Sequence, residues 1–307
     1  MPMEPALSAK GLLAALALLA LAAPALTQMH VPRPQAERDM AAACAGRDGW
    51  GDPAPPAHVF GNTWYVGTCG ITTLLVQTPD GLVLLDGGIP KAADLVLDNV
   101  RKLGFPPKAI RWILVSHEHF DHAGAVAEIQ RRTGAKVIAG PNQAAMLRSG
   151  KPAPDDPQAP LLLKEPMRPI KVAKTQPHGT ALVVGGVSFT AWANPAHAPG
   201  STSWTWQQCQ GTECRTIAYA DSASTISADG YRFADNPDRI EAIRRGLSVV
   251  AALPCDILIT PHPSASDLFA RLSGTQPLIK PDACAAYAAT ASQRFGERLA
   301  RETAAAR

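Results

Sequence analysis

The sequence predicts an α/β fold in which two sheets form the centre and helices cover them on the outside. Short β-type runs are followed by helical patterns in both halves of the chain. A two-layer sheet core with outer helices satisfies that order of elements. The chain has 307 residues, 46% of them hydrophobic, so it can bury a large apolar core as one large domain or two modest ones.

The first half begins with a polar, proline-bearing lead over residues 28–56 and continues into short runs separated by turn residues. The run over 110–115 is too short and too rich in branched side chains for a helix, which indicates a buried strand. Ala125, Val126 and Ile129 share one face at helical spacing. We expect strands over 63–67, 72–77, 81–85, 110–115 and 136–139, and helices over 91–103 and 123–132.

A proline-rich segment over residues 151–179 separates the two halves. Recurring prolines exclude a long regular element, so we expect an irregular segment. Structureless segments of this length are uncommon inside domains unless they are functional or linkers, and a cover over a site is one such function. The second half repeats the scheme, with strands over 181–184, 187–192, 203–206, 216–220 and 257–260 and helices near 238–252 and 284–302.

The N-terminus is typical of a secretory signal peptide. Lys10 precedes an uninterrupted apolar stretch over residues 12–23, which Pro24 closes. A membrane anchor is the alternative, but the stretch is shorter than the roughly 20 residues that a spanning helix needs. We therefore expect residues 1–27 to be removed and residues 28–307 to form one exported, periplasmic domain without stable membrane association.

Charge and cysteine content limit the partners and the compartment. The net charge is +3 with 18% charged residues, which gives no electrostatic footprint for nucleic acid or anionic lipid. Six cysteines in an exported chain favour disulfides, and fifteen complete pairings are possible. Only Cys209 and Cys214 are near enough in the chain to suggest a local link. A structural zinc site would need a second nearby cysteine pair, which the sequence lacks.

The strand over 110–115 is followed closely by the sequence His-Glu-His-Phe-Asp-His at residues 117–122. In an extended segment alternate residues share a side, so His117 and His119 can hold one metal ion. Asp121 and His122 turn toward a neighbouring ion. The alternative is a solvated loop. Such a loop would not explain why histidine and aspartate are so dense beside a strand. The spacing therefore predicts two metal ions.

Each ion still needs one protein ligand, because such sites have about three ligands and an open position. His197 and His262 are the candidates, since each follows or borders a strand end. A donor set rich in histidine and poor in carboxylate favours zinc. The remaining histidines, His30, His58 and His178, have no predicted role beyond the surface.

With this signature the chain resembles the metallo-β-lactamase superfamily, whose His-x-His-x-Asp-His pattern is matched in full. Segments over 59–63, 65–70, 85–88, 199–204 and 220–222 resemble class B, subclass 3 β-lactamases. The resemblance extends from about Cys44 to the C-terminal helix. It implies a four-layer αβ/βα sandwich and two Zn²⁺ ions per chain. It further implies zinc-dependent hydrolysis of the β-lactam amide of antibiotics, and thus antibiotic resistance.

The resemblance also assigns residues to roles. Site one would be His117, His119 and His197, site two Asp121, His122 and His262, and the disulfides Cys44 with Cys69, Cys209 with Cys214 and Cys255 with Cys284. Asp121 would also orient a hydroxide shared by the two ions, and this hydroxide would attack the carbonyl. Asp86 would hold a ligating imidazole from behind, with a simple turn aspartate as the alternative. Ser222, Ser224 and Gln158 would contact the substrate, with ordinary polar surface as the alternative for each.

One departure from the subclass surrounds the third histidine. Ala196 and Ala198 stand where glycine and threonine are common. If the backbone at Ala196 were left-handed, the side chain would oppose that conformation and His197 would shift. The geometry of site one is therefore open at this point.

Two other functions remain open from the sequence. A hydroxyacylglutathione hydrolase or an acyl-homoserine lactone lactonase of the same superfamily usually has a metal-bridging aspartate where this chain has Ser222. Asp221 is one position earlier, and a strand residue one step away points to the opposite face. Contact between Asp221 and metal would indicate one of these enzymes, and its absence would indicate a β-lactamase. The other alternative is a zinc-binding protein without catalysis. For the lactamase we expect a small-molecule β-lactam partner and a monomer.

Overall fold

The computed structural model describes residues 34–304. The predicted signal peptide and His30 lie outside the described residues. Strands and helices alternate through this range as the sequence predicts, and the structure adds several short elements. The helices are α1 Pro34–Ala43, α2 Ala93–Lys102, α3 Phe120–Ala123, α4 Val126–Thr133, α5 Pro141–Ser149, α6 Ala159–Leu162, α7 Pro237–Ala251, α8 Leu268–Leu272 and α9 Ala283–Ala304.

The first sheet has seven strands that follow one another in chain order across the sheet. The first four are antiparallel neighbours, and the last four are parallel neighbours. These strands are β1 Ala57–Phe60, β2 Thr63–Tyr65, β3 Leu74–Thr78, β4 Gly81–Leu85, β5 Ile110–Leu114, β6 Lys136–Ala139 and β7 Val172–Thr175.

The second sheet has five strands and runs in the order β12, β11, β10, β9, β8. All neighbours are antiparallel except β11 and β12. The strands are β8 Ala181–Val184, β9 Val187–Ala193, β10 Thr202–Gln210, β11 Glu213–Tyr219 and β12 Ile257–Ile259.

The two sheets bury a shared core, and helices cover their outer faces. In β3, Leu74 and Val76 join a cluster that also contains Phe189 and Trp204 of the second sheet. Leu75 between them belongs to a separate cluster with residues of α2 and α4. This follows from the period of two in a strand, which sends alternate side chains to opposite faces. On the other side, α9 packs against α7 and β12. The order of layers is helix, sheet, sheet, helix, as the resemblance implies.

Three disulfides fasten this framework, with the pairing that the resemblance implies. Cys44 binds Cys69, Cys209 binds Cys214, and Cys255 binds Cys284. Cys209 lies directly opposite Cys214 in the β10–β11 hairpin. Disulfides of this number are typical of proteins from oxidising compartments. Among the described residues, no helix has the length and apolar content needed to span a membrane.

The structure corrects two expectations about local structure. The proline-rich segment is not irregular throughout, because β7 pairs with β6 in a stretch that has no proline between Pro169 and Pro177. His58 is not a surface residue: only 9% of it is exposed, and its Nε2 contacts the carbonyl oxygen of Gly61. It lies on β1, a buried strand that the sequence analysis did not predict, between the polar lead and the first predicted strand.

Candidate metal centre

The histidine-rich sequence lies at one edge of the sandwich, where β5 ends against β10. The amide of Thr202 donates to Ser116 O at 2.8 Å and the indole of Trp204 donates to Val115 O at 3.0 Å, which joins the two sheets there. His197 lies between β9 and β10, and His262 follows β12. Loops from both sheets therefore bring distant parts of the chain to this edge.

His117, His119 and His197 form the first group of candidate ligands. All three are buried, and one nitrogen from each lies within 4.8 Å of the others. Their ring centroids are 4.7, 4.9 and 5.0 Å apart. Three imidazoles packed this closely, with their nitrogens facing one another, form a cradle for a cation.

The outward-facing nitrogen of each imidazole in this group has an acceptor. His117 Nδ1 donates to Asp221 Oδ1, His119 Nε2 to Asp156 Oδ2 and His197 Nδ1 to the Ser224 carbonyl, each at 2.8 Å. The proton on the outer nitrogen leaves the lone pair of the other nitrogen free to bind metal. His117 Nε2 shows the result, since it is buried and lacks a hydrogen-bond partner among the described residues.

Asp121, His122 and His262 form the second group. Asp121 Oδ2 lies 3.1 Å from His122 Nε2 and 3.5 Å from His262 Nε2, and the two nitrogens are 3.3 Å apart. The other nitrogen of His262 is 3.2 Å from the Gly70 carbonyl. The groups adjoin, because His117 also has a ligand atom within 4.8 Å of Asp121 and His122. All six residues singled out in the sequence are thus brought together.

The protonation of His117, His197 and Asp121 suits metal binding. Burial lowers the pKa of His117 to about 4 and that of His197 to about 3, so both imidazoles are neutral near pH 7. For Asp121, burial acts to raise the pKa, but His122 and His262 outweigh it and hold the pKa well below its ordinary value. Neutral imidazoles and an ionised carboxylate are the forms that coordinate metal. At His119 and His122 burial acts to lower the pKa, but the neighbouring carboxylates outweigh it and raise the pKa, so a metal ion would have to displace a proton there. The donor set fits a centre of two metal ions.

Asp86 lies behind the centre but does not hold an imidazole by a hydrogen bond. Its Oδ2 is 3.7 Å from His122 Nδ1, too far for such a bond. The carboxylate instead accepts from the amide and hydroxyl of Ser116, at 2.7 and 2.6 Å, and from the Tyr219 hydroxyl at 2.6 Å. Asp86 therefore fixes the residue that precedes the ligand cluster. It is also fully buried, unlike a simple turn aspartate.

Two carboxylates that hold ligand imidazoles were not found by sequence reasoning. Asp221 was considered only as a metal-bridging residue, whereas its carboxylate lies on the outer nitrogen of His117. Asp156 comes from the proline-rich segment, where no sequence signal separates it from its exposed neighbour Asp155. Burial acts to raise the pKa of Asp156, and its hydrogen bond with His119 lowers it below the ordinary value. The segment thus reaches the centre, as expected for a cover.

Two of the three residues expected to contact substrate lie beside His197. Gln158 Nε2 is 3.4 Å from His197 Nε2, and Ser224 Oγ is 3.1 Å from His197 Nδ1. Ser222 is buried beside Asp221. Trp50 was missed: the residue is 42% exposed, and its ring centroid lies 5.9 Å from that of His262. An exposed indole beside the centre offers an apolar surface to a ligand.

The backbone at Ala196 is compatible with an alanine side chain. Among the described residues, only Asp86 and Asp267 have positive φ without being glycine, so Ala196 is not left-handed. The Arg239 guanidinium donates to the carbonyls of Pro195, Ala196 and His197 at 2.8, 3.1 and 2.9 Å. This buried arginine holds the loop that presents His197.

Comparisons with known proteins agree with this centre. The metallo-β-lactamase superfamily profile matches residues 66–210. The chain is 56% identical to metallo-β-lactamase MIM-1 from Novosphingobium pentaromativorans, with a TM-score of 0.85 over 88% of this chain and 99% of that one. It is 39% identical to MEM-A1, a subclass B3 metallo-β-lactamase from a soil metagenome library, with a TM-score of 0.78 over 83% and 99% of the two chains.

Matches to curated relatives are shorter. A UPF0173 metal-dependent hydrolase of Anaeromyxobacter sp. (strain K) is 46% identical over 79 residues, which are 25% of each chain. The chain thus spans about a quarter of the length of that relative. The solved structures cover most of the chain at high identity, and by that likeness the chain belongs to subclass B3 of the metallo-β-lactamase superfamily.

Proposed function

We propose that this protein is an exported metallo-β-lactamase that hydrolyses the β-lactam amide of antibiotics with two zinc ions. The observation that carries the proposal is the convergence of six buried or half-buried ligand side chains at one edge of a sandwich typical of subclass B3. His117 Nε2, His119 Nδ1 and His197 Nε2 would hold one ion. Asp121 Oδ2, His122 Nε2 and His262 Nε2 would hold the other.

Bound zinc lowers the pKa of water toward neutrality and polarises a carbonyl, so hydrolysis needs no separate protein base. The protein's own residues supply order around this chemistry. Asp221 and Asp156 fix the ring orientations of His117 and His119. Asp121, whose carboxylate faces both imidazoles of the second group, would accept a hydrogen bond from the attacking water and orient it.

Substrate binding would use the loops that surround the centre. The hydroxyls of Ser222 and Ser224 would donate hydrogen bonds to the β-lactam carboxylate. Gln158 would contact the substrate side chain from the proline-rich segment. Trp50 would give its exposed indole face to the apolar part of the antibiotic, and its ring is already placed by Phe120, with ring centroids 5.7 Å apart.

Asp221 favours this proposal over the lactonase or thioesterase alternative. Its Oδ1 accepts from the outer nitrogen of His117 at 2.8 Å, so that oxygen lies on the far side of the ring from the ligand nitrogen. Ser222, the next residue, has a neutral hydroxyl where those enzymes usually have a bridging carboxylate. A centre without that carboxylate supports the lactamase reading.

A periplasmic location fits the same function. Three disulfides favour an oxidising compartment, and the N-terminal sequence is typical of an export signal. An enzyme placed there meets β-lactams near their cell-wall targets. We further propose that the mature chain acts as a monomer.

Hydrolysis of a chromogenic cephalosporin by the mature chain tests the proposal. We expect turnover that a chelator abolishes and added zinc restores. His262→Ala should lose most of the activity, whereas His178→Ala, an exposed position outside the centre, should retain it. An acyl-homoserine lactone and S-lactoylglutathione serve as comparison substrates. Turnover of either of these in place of a cephalosporin and a carbapenem would show that the lactamase reading is wrong.

A further inference from the structure

A groove of about 700 Å³ lies beside the candidate metal centre, between α9 and the loops that follow β11 and β12. One face of α9 forms its floor. Tyr287, Arg294, Arg298 and Arg301 line it, and their spacing of seven, four and three residues keeps them on one side of a helix. The floor is therefore a continuous stripe along the last helix.

Two residues that line the groove adjoin the candidate centre. Ser224, whose carbonyl binds the outer nitrogen of His197, lines one wall. Ser264 lines the other wall, two residues after the ligand His262. The loop that carries Ser224 rests on the stripe, since the Ala223 amide donates to the Tyr287 hydroxyl at 3.0 Å. A substrate carboxylate at Ser222 and Ser224 would lie at the mouth of this groove.

The groove is strongly cationic. Its lining includes two carboxylates, Asp267 and Glu297, and the cationic side chains of Arg271, Lys280, Arg294, Arg298 and Arg301. Two of these cations have internal partners. The Arg271 guanidinium donates to the carbonyls of Leu258 and Leu278, and Arg298 pairs with Glu302 at 2.8 Å.

The other three cations are free to bind a ligand. The side chains of Lys280, Arg294 and Arg301 are exposed and make no hydrogen bond or ion pair with any residue in the described range 34–304. Arg294 lies about two turns from Tyr287 and about one turn from Arg298, the two residues that contact the Ser224 loop. Unpaired cations along a concave surface raise the local concentration of anions.

We propose that this groove binds a second anionic group of the substrate, so that the enzyme favours dianionic β-lactams over their monoanionic analogues. The inference rests on the proposed function and deepens it. In a cephalosporin the ring carboxylate is adjacent to the carbon that bears the 3-substituent. With the carboxylate at Ser222 and Ser224, that substituent would extend along the groove that Ser224 lines. A sulfonate or carboxylate on the substituent would then meet Arg294 and Arg301.

Two cephalosporins that differ by a single anionic group test the preference for dianionic substrates. Cefonicid differs from cefamandole only by a sulfonate on the methyl group of the tetrazole in its 3-substituent. The measured quantity is the ratio of kcat/KM for cefonicid to that for cefamandole. We expect Arg294→Gln and Arg301→Gln each to lower this ratio by about 2–5-fold, the range of partly exposed ion pairs. In the parent enzyme, added salt should also lower this ratio.

Control variants give the opposite or no effect. Glu297→Gln removes a carboxylate from the groove and should raise the ratio. Arg244→Gln removes an exposed cation of α7 outside the groove and should leave the ratio unchanged. A ratio that is the same in the parent, Arg294→Gln and Arg301→Gln overturns the inference while leaving the proposed function intact. Hydrolysis of neither cephalosporin would instead refute the proposed function.

Discussion

Replacing Asp156 by asparagine removes a carboxylate that holds a candidate zinc ligand without touching the metal. Asp156 Oδ2 accepts a hydrogen bond from His119 Nε2 at 2.8 Å, and Oδ1 accepts one from the backbone N–H of Gln158 at 2.7 Å. Both contacts therefore need an acceptor. Asparagine supplies one oxygen and one NH₂ group, so one of the two N–H donors would face another donor.

The expected loss is in zinc affinity. Partners that orient metal-ligating histidines are typically worth about 10–100-fold in affinity or activity, which corresponds to about 1.4–2.8 kcal/mol. Asp156 is 3% exposed, so water does not replace the lost acceptor. We expect one of the two zinc affinities of Asp156→Asn to weaken by this factor and the other to change less. Competition with a chromophoric chelator measures both.

Asp155→Asn is the matched control, because Asp155 is adjacent in the chain but exposed. Its zinc affinities should equal those of the parent protein. If Asp156→Asn binds both ions as tightly as the parent protein does, the hydrogen bond from His119 does not support metal binding. An equal loss of affinity in Asp155→Asn would also exclude that role, since the effect would then come from general charge and not from the hydrogen bond.

Three further predictions follow from the same structure. Trp50→Ala should raise KM for a cephalosporin by about fivefold, because burying half an indole contributes about 1 kcal/mol; steady-state kinetics would show KM unchanged if the indole does not contact substrate. Arg239→Met should lower the free energy of unfolding by about 2–4 kcal/mol, since three carbonyls lose their donor; an unchanged denaturation midpoint would contradict this. Replacing both cysteines of the Cys255–Cys284 disulfide by serine should lower the free energy of unfolding by about 3.6 kcal/mol, since the disulfide closes a loop of 29 residues. The same change at the Cys209–Cys214 disulfide, which closes 5 residues, should lower it by about 2 kcal/mol. Equal losses of stability on thermal unfolding would contradict this dependence on loop length.

Much of the fold could be predicted because its strands follow simple local rules. β4, β6 and β8 have the bounds that the sequence indicates, since each is a short branched run between turn residues. β7 was missed because proline content dominated the reading of the segment that contains it. Its strand conformation depends on pairing with β6, which no local pattern reveals.

The metal ligands could be found because their chemistry is concentrated in the chain, whereas their supports could not. Four of the six candidates lie within residues 117–122, a density that has little other use. Asp156 and Asp221 are ordinary acidic residues in sequence. They become important only where the fold brings them to within 2.8 Å of an imidazole, 37 and 104 residues away from His119 and His117 respectively.

Anomalous scattering at the zinc edge, from crystals of the zinc-loaded mature protein, shows directly how many ions the centre binds and where. We expect two peaks in each chain. The first should be coordinated by His117 Nε2, His119 Nδ1 and His197 Nε2, and the second by Asp121, His122 and His262. A single peak, or a peak coordinated by Asp221, would contradict the two-ion centre described here.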